Sequence, residues 1–324
     1  MPEWLVERGI GEDRAILLDG ETILAARLDW PEGLKTGLIE DARLVSRTAG
    51  SPRATARFAS GEEALVSRLP RTASEGATIR LKVTRPAVAE SGRIKLAHAR
   101  PTDEPVRPAP TVAESLRADG AEAQIVRRFP VAGWEDVLAD AFTRQTAFAG
   151  GSLLLSPTPA MTLIDIDGAL PPAALASAAV RPIADLLRRL DIGGSIGIDF
   201  PTLPAKADRR AVDEALEDAL TGWPHERTAM NGFGFVQLVT RLERVSILHR
   251  VAQAPTGAAA RLLLRRAEAL EGAGAILLTA HPAVQARITP EWQDELSRRT
   301  GREIRWATDL GLAIEAGHAQ LIER

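Results

Sequence analysis

The sequence predicts a multidomain α+β protein with an N-terminal OB-like β-barrel over residues 1–100 and a Pro-rich linker over 101–111. An α/β domain carrying the candidate catalytic residues spans 112–252, and a small C-terminal α/β domain spans 253–324. Three observations predict this order. Residues 14–99 break into short alternating runs separated by turn signals such as Asp19-Gly20 and Ser60-Gly61. The stretch from Arg100 to Pro110 holds Pro101, Pro105, Pro108 and Pro110, a density that stops helix and strand alike. From Ser152 onward, short apolar runs alternate with helical stripes, as in βαβ units.

In chain order, Arg14–Asp19, Thr22–Leu28, Leu38–Ser46, Thr55–Ala59, Ala64–Leu69, Thr78–Thr84 and Arg93–His98 read as strands. Thr78 to Thr84 alternates apolar and polar residues, and Arg93-Ile94-Lys95-Leu96 puts its two cations on one face. Short, evenly spaced strands with basic outer faces suggest a small barrel. Helices follow around Val112–Ala118 and Trp134–Arg144, with Ala123–Arg127 a strand between them. Ser152–Leu155 and Met161–Ile166 read as strands before a helix that starts near Pro172, in which Pro182 implies a kink or a fresh start. Strand Ser195–Phe200, helix Asp208–Leu220 and strand Phe235–Arg241 come next. After a soft break at Ala252–Gly257, helix Ala258–Glu271, strand Ala275–Thr279, helix Pro290–Arg299 and strand Glu303–Ala307 form the last unit.

Composition excludes several function classes. The chain has no cysteine, so thiol catalysis, disulfides and thiolate zinc sites are out, and a reducing cytoplasm is the expected location. The stretch from Met1 to Asp13 is charged and lacks the apolar core of a secretory signal. No run reaches the ~18 apolar residues of a membrane span, so no membrane partner is expected. Net charge is −3 over 324 residues, but it is unevenly spread. Residues 1–41 hold 4 basic and 10 acidic side chains, whereas residues 42–100 hold 12 basic and 4 acidic. The second stretch suits a nucleic-acid face or simply a solvated surface.

The chemistry concentrates in two apolar runs that end in carboxylates. One is Met161-Thr162-Leu163-Ile164-Asp165-Ile166-Asp167, the other Ser195-Ile196-Gly197-Ile198-Asp199. Alternation puts Asp165 and Asp167 on one face of a strand, and the crossover that follows would carry Asp199 to the same end of the sheet. A carboxylate in an apolar strand loses hydration, two together repel, and a bound Mg²⁺ relieves both costs. An Asp after a buried strand also serves as a turn former or helix N-cap, and spacing leaves that reading open. The five histidines are scattered, and Gly9-Ile10-Gly11 and Gly232-Phe233-Gly234 lack the context of a phosphate loop. Aromatic residues make up only 4% of the chain, which argues against a base-stacking barrel of the usual kind.

From Phe142 onward these residues resemble the ribonuclease E/G family. The likeness runs through Phe148-Ala149-Gly150-Gly151-Ser152, the Asp165 run and Leu190-Asp191-Ile192-Gly193-Gly194-Ser195-Ile196-Gly197-Ile198-Asp199-Phe200. It continues in Arg210-Ala211-Val212 and Phe233-Gly234-Phe235-Val236-Gln237. The resemblance implies an RNase H-like/DNase I-like catalytic half and endonucleolytic cleavage of single-stranded RNA by metal-assisted hydrolysis. It implies Mg²⁺ held by Asp165 and Asp199, with 5′-phosphate and 3′-hydroxyl products. The position of Asp167 is usually Asn in the family, where it orients an aspartate or the metal; here it adds charge. Arg57 and Arg68 stand where the family's barrel shows Phe. Together with Arg80, Lys82, Arg93, Lys95 and Arg210 they are the expected RNA contacts. The interval from Pro101 to Phe142 is too short for the family's 5′-monophosphate sensor, and the family's cysteine-based zinc link has no counterpart. Stimulation by a 5′-monophosphate and a zinc-linked dimer are therefore not expected, while a homo-oligomer without the zinc link stays open. Two other readings remain: an RNA-binding or assembly protein of the same fold without turnover, and a metallophosphoesterase acting on something other than RNA.

Overall fold

The computed structural model describes residues 2–47, 51–90, 93–158 and 160–323, without the side chains of residues 89, 90, 93 and 94. The chain opens with an antiparallel meander of β1 (Glu3–Gly9), β2 (Glu12–Asp19) and β3 (Thr22–Asp29). A closed five-stranded barrel follows, built from β4 (Ile39–Arg47), β5 (Ala54–Arg57), β6 (Glu63–Val66), β7 (Thr78–Arg85) and β10 (Ala97–Pro101). A hairpin of β8 (Val88–Glu90) and β9 (Arg93–Lys95) lies between the last two. The barrel interior is filled mainly by small and branched residues, among them Ala42, Ala56, Ala64, Val66, Leu81, Val83, Ala97 and Ala99. A tight barrel has room for little more.

Helix α1 (Val112–Ala118) begins on a capping box in which Thr111 Oγ1 accepts from the Glu114 N–H and the Glu114 carboxylate accepts from the Thr111 N–H. Strand β11 (Ala123–Val126) then returns to pair in parallel with β1, giving a four-stranded sheet in the order β11-β1-β2-β3. The one β unit expected over residues 1–100 is thus two. The first three strands belong to a sheet completed by β11 from beyond the Pro-rich segment, and the barrel begins only at Ile39. Burial gives the reason. Leu5, Ile16, Leu18 and Leu28 from the meander share one core with the helices and sheet that follow, whereas the barrel keeps its own. Short strands look alike locally, and only their packing partners assign them to a sheet.

After α2 (Trp134–Thr143), six strands make the central sheet. They are β12 (Gln145–Phe148), β13 (Gly151–Pro157), β14 (Thr162–Gly168), β15 (Ser195–Asp199), β16 (Glu226–Arg227) and β17 (Phe235–Val239), ordered β12-β13-β14-β15-β17-β16. Only β14 and β15 are parallel, and the crossover between them is α3 (Pro172–Arg189). That helix is continuous through Pro182, so of the kink or fresh start expected there, no fresh start occurs. Its buried stripe of Leu175, Ala179, Ile183 and Leu187 continues across the proline, and packing on the sheet outweighs the lost N–H. Helix α4 (Lys206–Ala219) covers the same face through Val212 and Leu216.

Helices α5 (Ile247–Gln253) and α6 (Pro255–Glu268) lead into the C-terminal unit. There β18 (Ala275–Ala280) pairs in parallel with β19 (Ile304–Thr308) and antiparallel with β20 (His318–Ile322). Two further helices, α7 (Pro282–Gln285) and α8 (Pro290–Thr300), lie between β18 and β19. Among the described residues no helix is long and apolar enough to cross a membrane.

A buried ionic cluster ties the meander to the C-terminal unit. Glu7, 4% exposed, accepts from Arg14 Nε at 2.8 Å, from Arg265 Nε at 3.1 Å and from the Phe129 N–H at 2.9 Å. Burial alone pushes its carboxyl up, but the two guanidinium charges and these hydrogen bonds together hold it below its ordinary value of 4.5.

Candidate metal and nucleic-acid site

Strand β14 alternates buried Ile164 and Ile166 with exposed Asp165 and Asp167. In β15, Ile196 and Ile198 are buried and the final Asp199 is exposed. The apolar side chains face α3 and α4, and the carboxylates stand on the opposite, open face. The parallel register pairs Asp165 with Asp199, so the two carboxylates are direct neighbours across adjacent strands, with α-carbons about 4.8 Å apart. On the far side of Asp165 is Leu154, and on the far side of Asp199 is Phe235. One row therefore reads Leu154, Asp165, Asp199, Phe235 across four strands. Asp167 lies two residues further along β14, opposite Ser152.

The expectation of buried carboxylates is corrected here, because all three aspartates are exposed. What brings charge together is strand register, and no desolvation penalty is involved. Asp165 Oδ1 accepts from the Ile166 N–H at 3.0 Å, which leaves its other oxygen free. No described residue hydrogen-bonds to or ion-pairs with the carboxylates of Asp167 and Asp199. Among the described residues no group of three or more His, Cys, Asp or Glu side chains is arranged to hold a metal ion. The donor set is thus a carboxylate pair with open positions. That suits Mg²⁺, which usually keeps several waters and takes one or two carboxylates plus substrate phosphate oxygens.

Two glycines shape this face. A Cβ on Gly197 would lie 2.6 Å from the Phe235 ring and 2.8 Å from Leu163, so the ring of Phe235 rests over the bare backbone of β15. Gly234, at φ +92°, closes a turn whose geometry is set by Asn231. The Asn231 side-chain oxygen accepts from the N–H groups of Phe233 and Phe235 at 2.9 and 3.1 Å. The Gly234 carbonyl accepts from the Phe200 N–H at 3.2 Å, and Thr202 Oγ1 donates to the Phe233 carbonyl. The turn is thereby fixed to the residue that follows Asp199. The ring of Phe233 projects from it, 81% exposed. Sequence reasoning read Gly232-Phe233-Gly234 as a glycine pair without a phosphate loop and Phe233 as the start of a family-like run, and gave its side chain no role; the available signal was a large apolar side chain between two glycines with no periodic partner.

The Leu190–Gly194 block plays a different part. Asp191, at φ +50°, ends α3 and accepts both Nε and Nη2 of Arg244 at 2.9 and 3.2 Å. This pair borders a cavity of about 840 Å³ with Arg27, Trp223 and Arg241. That cavity lies at the start of β15, beside Gly193, and is not lined by Asp165, Asp167 or Asp199.

The expected RNA contacts are dispersed. Arg80 forms two hydrogen bonds to Asp41, Lys82 pairs with Glu104 at 2.6 Å, and Arg57 pairs with Glu63 at 2.8 Å. Arg210 sits on the outer face of α4 and pairs with Glu214 one turn on. Exposed Arg68 and Lys95 have no ion-pair partner among the described residues. Lys95 lines a cavity of about 250 Å³ with Met161, Ser195 and His249, where the barrel hairpin meets the central sheet. The Arg93 side chain lies outside the described residues.

Residues 109–241 match the model of the Ribonuclease E/G family. No curated protein matches the chain. The matched segment runs from just before α1 to just past β17, and so contains the aspartate row, the Asn231–Phe235 turn and the Leu190–Gly194 block.

Proposed function

From the premise that this chain belongs to the ribonuclease E/G family through residues 109–241, we propose that it is a Mg²⁺-dependent endoribonuclease acting on single-stranded RNA. The observation that carries the proposal is the register pairing of Asp165 with Asp199 on the open face of the central sheet. Two unneutralised carboxylates side by side repel an RNA phosphate unless a cation sits between them. Asp165 and Asp199 would hold Mg²⁺, which when bound lowers the pKa of a water ligand and offsets charge on the phosphoryl oxygens. Asp167 would orient that pair from two residues along the same strand.

The reaction is a phosphodiester hydrolysis. A water oxygen forms a bond to phosphorus, the P–O3′ bond breaks, and the 3′ oxygen takes up a proton. The products are a 5′-phosphate and a 3′-hydroxyl. The chain's own residues place the substrate and fix the distance between the carboxylates. The strand ladder β14–β15 fixes the pair, and the Gly234–Phe200 hydrogen bond holds the end of β15 in line. Barrel cations would hold the backbone of the RNA, with Lys95 in the cavity that borders the central sheet. The catalytic half is proposed to be of RNase H-like/DNase I-like type.

The test is cleavage of a fluorescent, unstructured RNA oligomer by wild-type protein and by Asp199→Asn, each with Mg²⁺ and with chelator. Cleavage by wild type alone, and only with Mg²⁺, is expected; cleavage by the variant at the wild-type rate would overturn the site. The lack of a third metal-ligating group among the described residues favours one alternative, an RNA-binding protein without turnover. RNA binding with no Mg²⁺-dependent cleavage would select it.

A further inference from the structure

The chain has six Trp, seven Phe and no Tyr. Twelve of these thirteen aromatic rings are buried or half-buried; Phe233 alone is exposed, at 81%. A phenyl ring left in water forgoes roughly 1.5–3 kcal/mol of burial, and this one does so in the turn that leads into Phe235, the register partner of Asp199. Its backbone is not a loose loop. The Asn231 amide oxygen, the Gly234 carbonyl and Thr202 Oγ1 tie the turn to itself and to the end of β15. The ring is therefore presented from a fixed base, two residues before the Phe235 that is paired with Asp199. Its neighbours Asn231, Gly232, Gly234 and Thr202 are small or polar, so it is an isolated flat face with no wider apolar patch around it.

We infer that Phe233 is a stacking platform for a base of single-stranded RNA next to the scissile phosphate. The inference rests on the proposed nuclease site and deepens it. Without a bound cation the aspartate row repels the RNA backbone, and with one its pull acts on the phosphate and not on the base, so a separate contact is needed to fix a base there. Stacking on an aromatic ring is insensitive to charge and tolerant of sequence, because every base has a π-face. The barrel interior buries Phe58, which leaves the barrel without an exposed aromatic. Two contributions to binding then separate. The barrel supplies a salt-dependent grip on phosphates, and Phe233 supplies a salt-independent hold on a base at the reaction centre.

The test uses the full chain in an Asp199→Asn background, so that RNA is bound without turnover, and reads fluorescence anisotropy of a labelled oligomer. Adding Phe233→Ala should weaken binding roughly 5- to 150-fold, with the slope of log K against log salt unchanged. Phe233→Trp should retain affinity within about threefold. A single abasic nucleotide walked along the oligomer should cost affinity at one position with Phe233 present and little at that position with Phe233→Ala. Unchanged affinity in Phe233→Ala, a changed salt slope, or an abasic penalty that survives the substitution would each overturn the stacking role. Wild-type protein that cleaves RNA while Phe233→Ala binds and cleaves equally well defeats this inference alone. Protein that neither binds nor cleaves the oligomer defeats the nuclease reading and this inference together.

Discussion

Replacing Gly234 by Ala tests whether the turn before β17 positions Asp199. At φ +92° an L residue is strained, at about 1–2 kcal/mol. The new Cβ would lie 2.3 Å from the Phe200 carbonyl oxygen and 3.1 Å from its carbon, both backbone atoms that cannot rotate aside. Relief requires the turn to move away from Phe200, which breaks the hydrogen bond from the Phe200 N–H to the Gly234 carbonyl, worth about 1 kcal/mol. Together these give a loss of about 2–3 kcal/mol. That is smaller than the ~5–15 kcal/mol total of a typical domain, so the variant should still fold. Because Phe200 follows Asp199 directly, a shift approaching 1 Å at that strand end should cut cleavage by about 10²-fold. Urea unfolding followed by tryptophan fluorescence gives the first quantity, and steady-state cleavage of the RNA oligomer gives the second. Gly232→Ala is the control, because a Cβ there meets nothing within 4 Å. Stability within about 0.5 kcal/mol of wild type, or folded Gly234→Ala protein with normal cleavage, would refute the coupling.

Asp165→Asn and Asp199→Asn should each reduce Mg²⁺-dependent cleavage by at least about 10²-fold while leaving the fold intact, because both side chains are exposed; a thermal melt and a Mg²⁺ titration of the rate check this. Glu7→Gln should destabilise by about 3 kcal/mol, at the low end for a broken buried pair because Glu12 still pairs with Arg14 at 2.5 Å; urea unfolding measures it. The same carboxylate predicts a pH dependence. Its folded value lies below its unfolded one, so its contribution is complete above about pH 4.5 and lost as pH falls through the folded value. Wild type should lose stability in that acid window faster than Glu7→Gln, and parallel pH profiles would contradict this. Arg68→Ala should lower the salt slope of RNA binding by about 0.7, whereas Arg80→Ala should change it less, since Asp41 already takes that charge; binding isotherms at several salt concentrations separate the two.

Much of this molecule was legible in its residues. Local patterns determined most elements after Arg100, because capping boxes, prolines at helix starts and apolar stripes act over a few residues. Helix Val112–Ala118 is where its sequence places it. The aspartates were legible for a similar reason: two apolar runs ending in carboxylates, on either side of a helical crossover, bring the carboxylates to one end of the sheet. The first and last strands, β1 and β20, were not recognised, nor were the short β8, β12 and β16, because short, charged or mixed segments carry weak alternation and are strands only by virtue of their partners. Only tertiary structure decided that the meander belongs with β11, since assignment to a sheet depends on which core its apolar face enters. Only tertiary structure set the register that pairs Asp165 with Asp199 and opened their face to water. Phe233 shows the same division. Its sequence marks a turn between glycines, closed locally where the Asn231 side-chain oxygen accepts from the Phe233 and Phe235 N–H groups, while the place of that turn at the end of β15 depends on the Phe200 N–H donating to the Gly234 carbonyl, which needs β15 and β17 side by side.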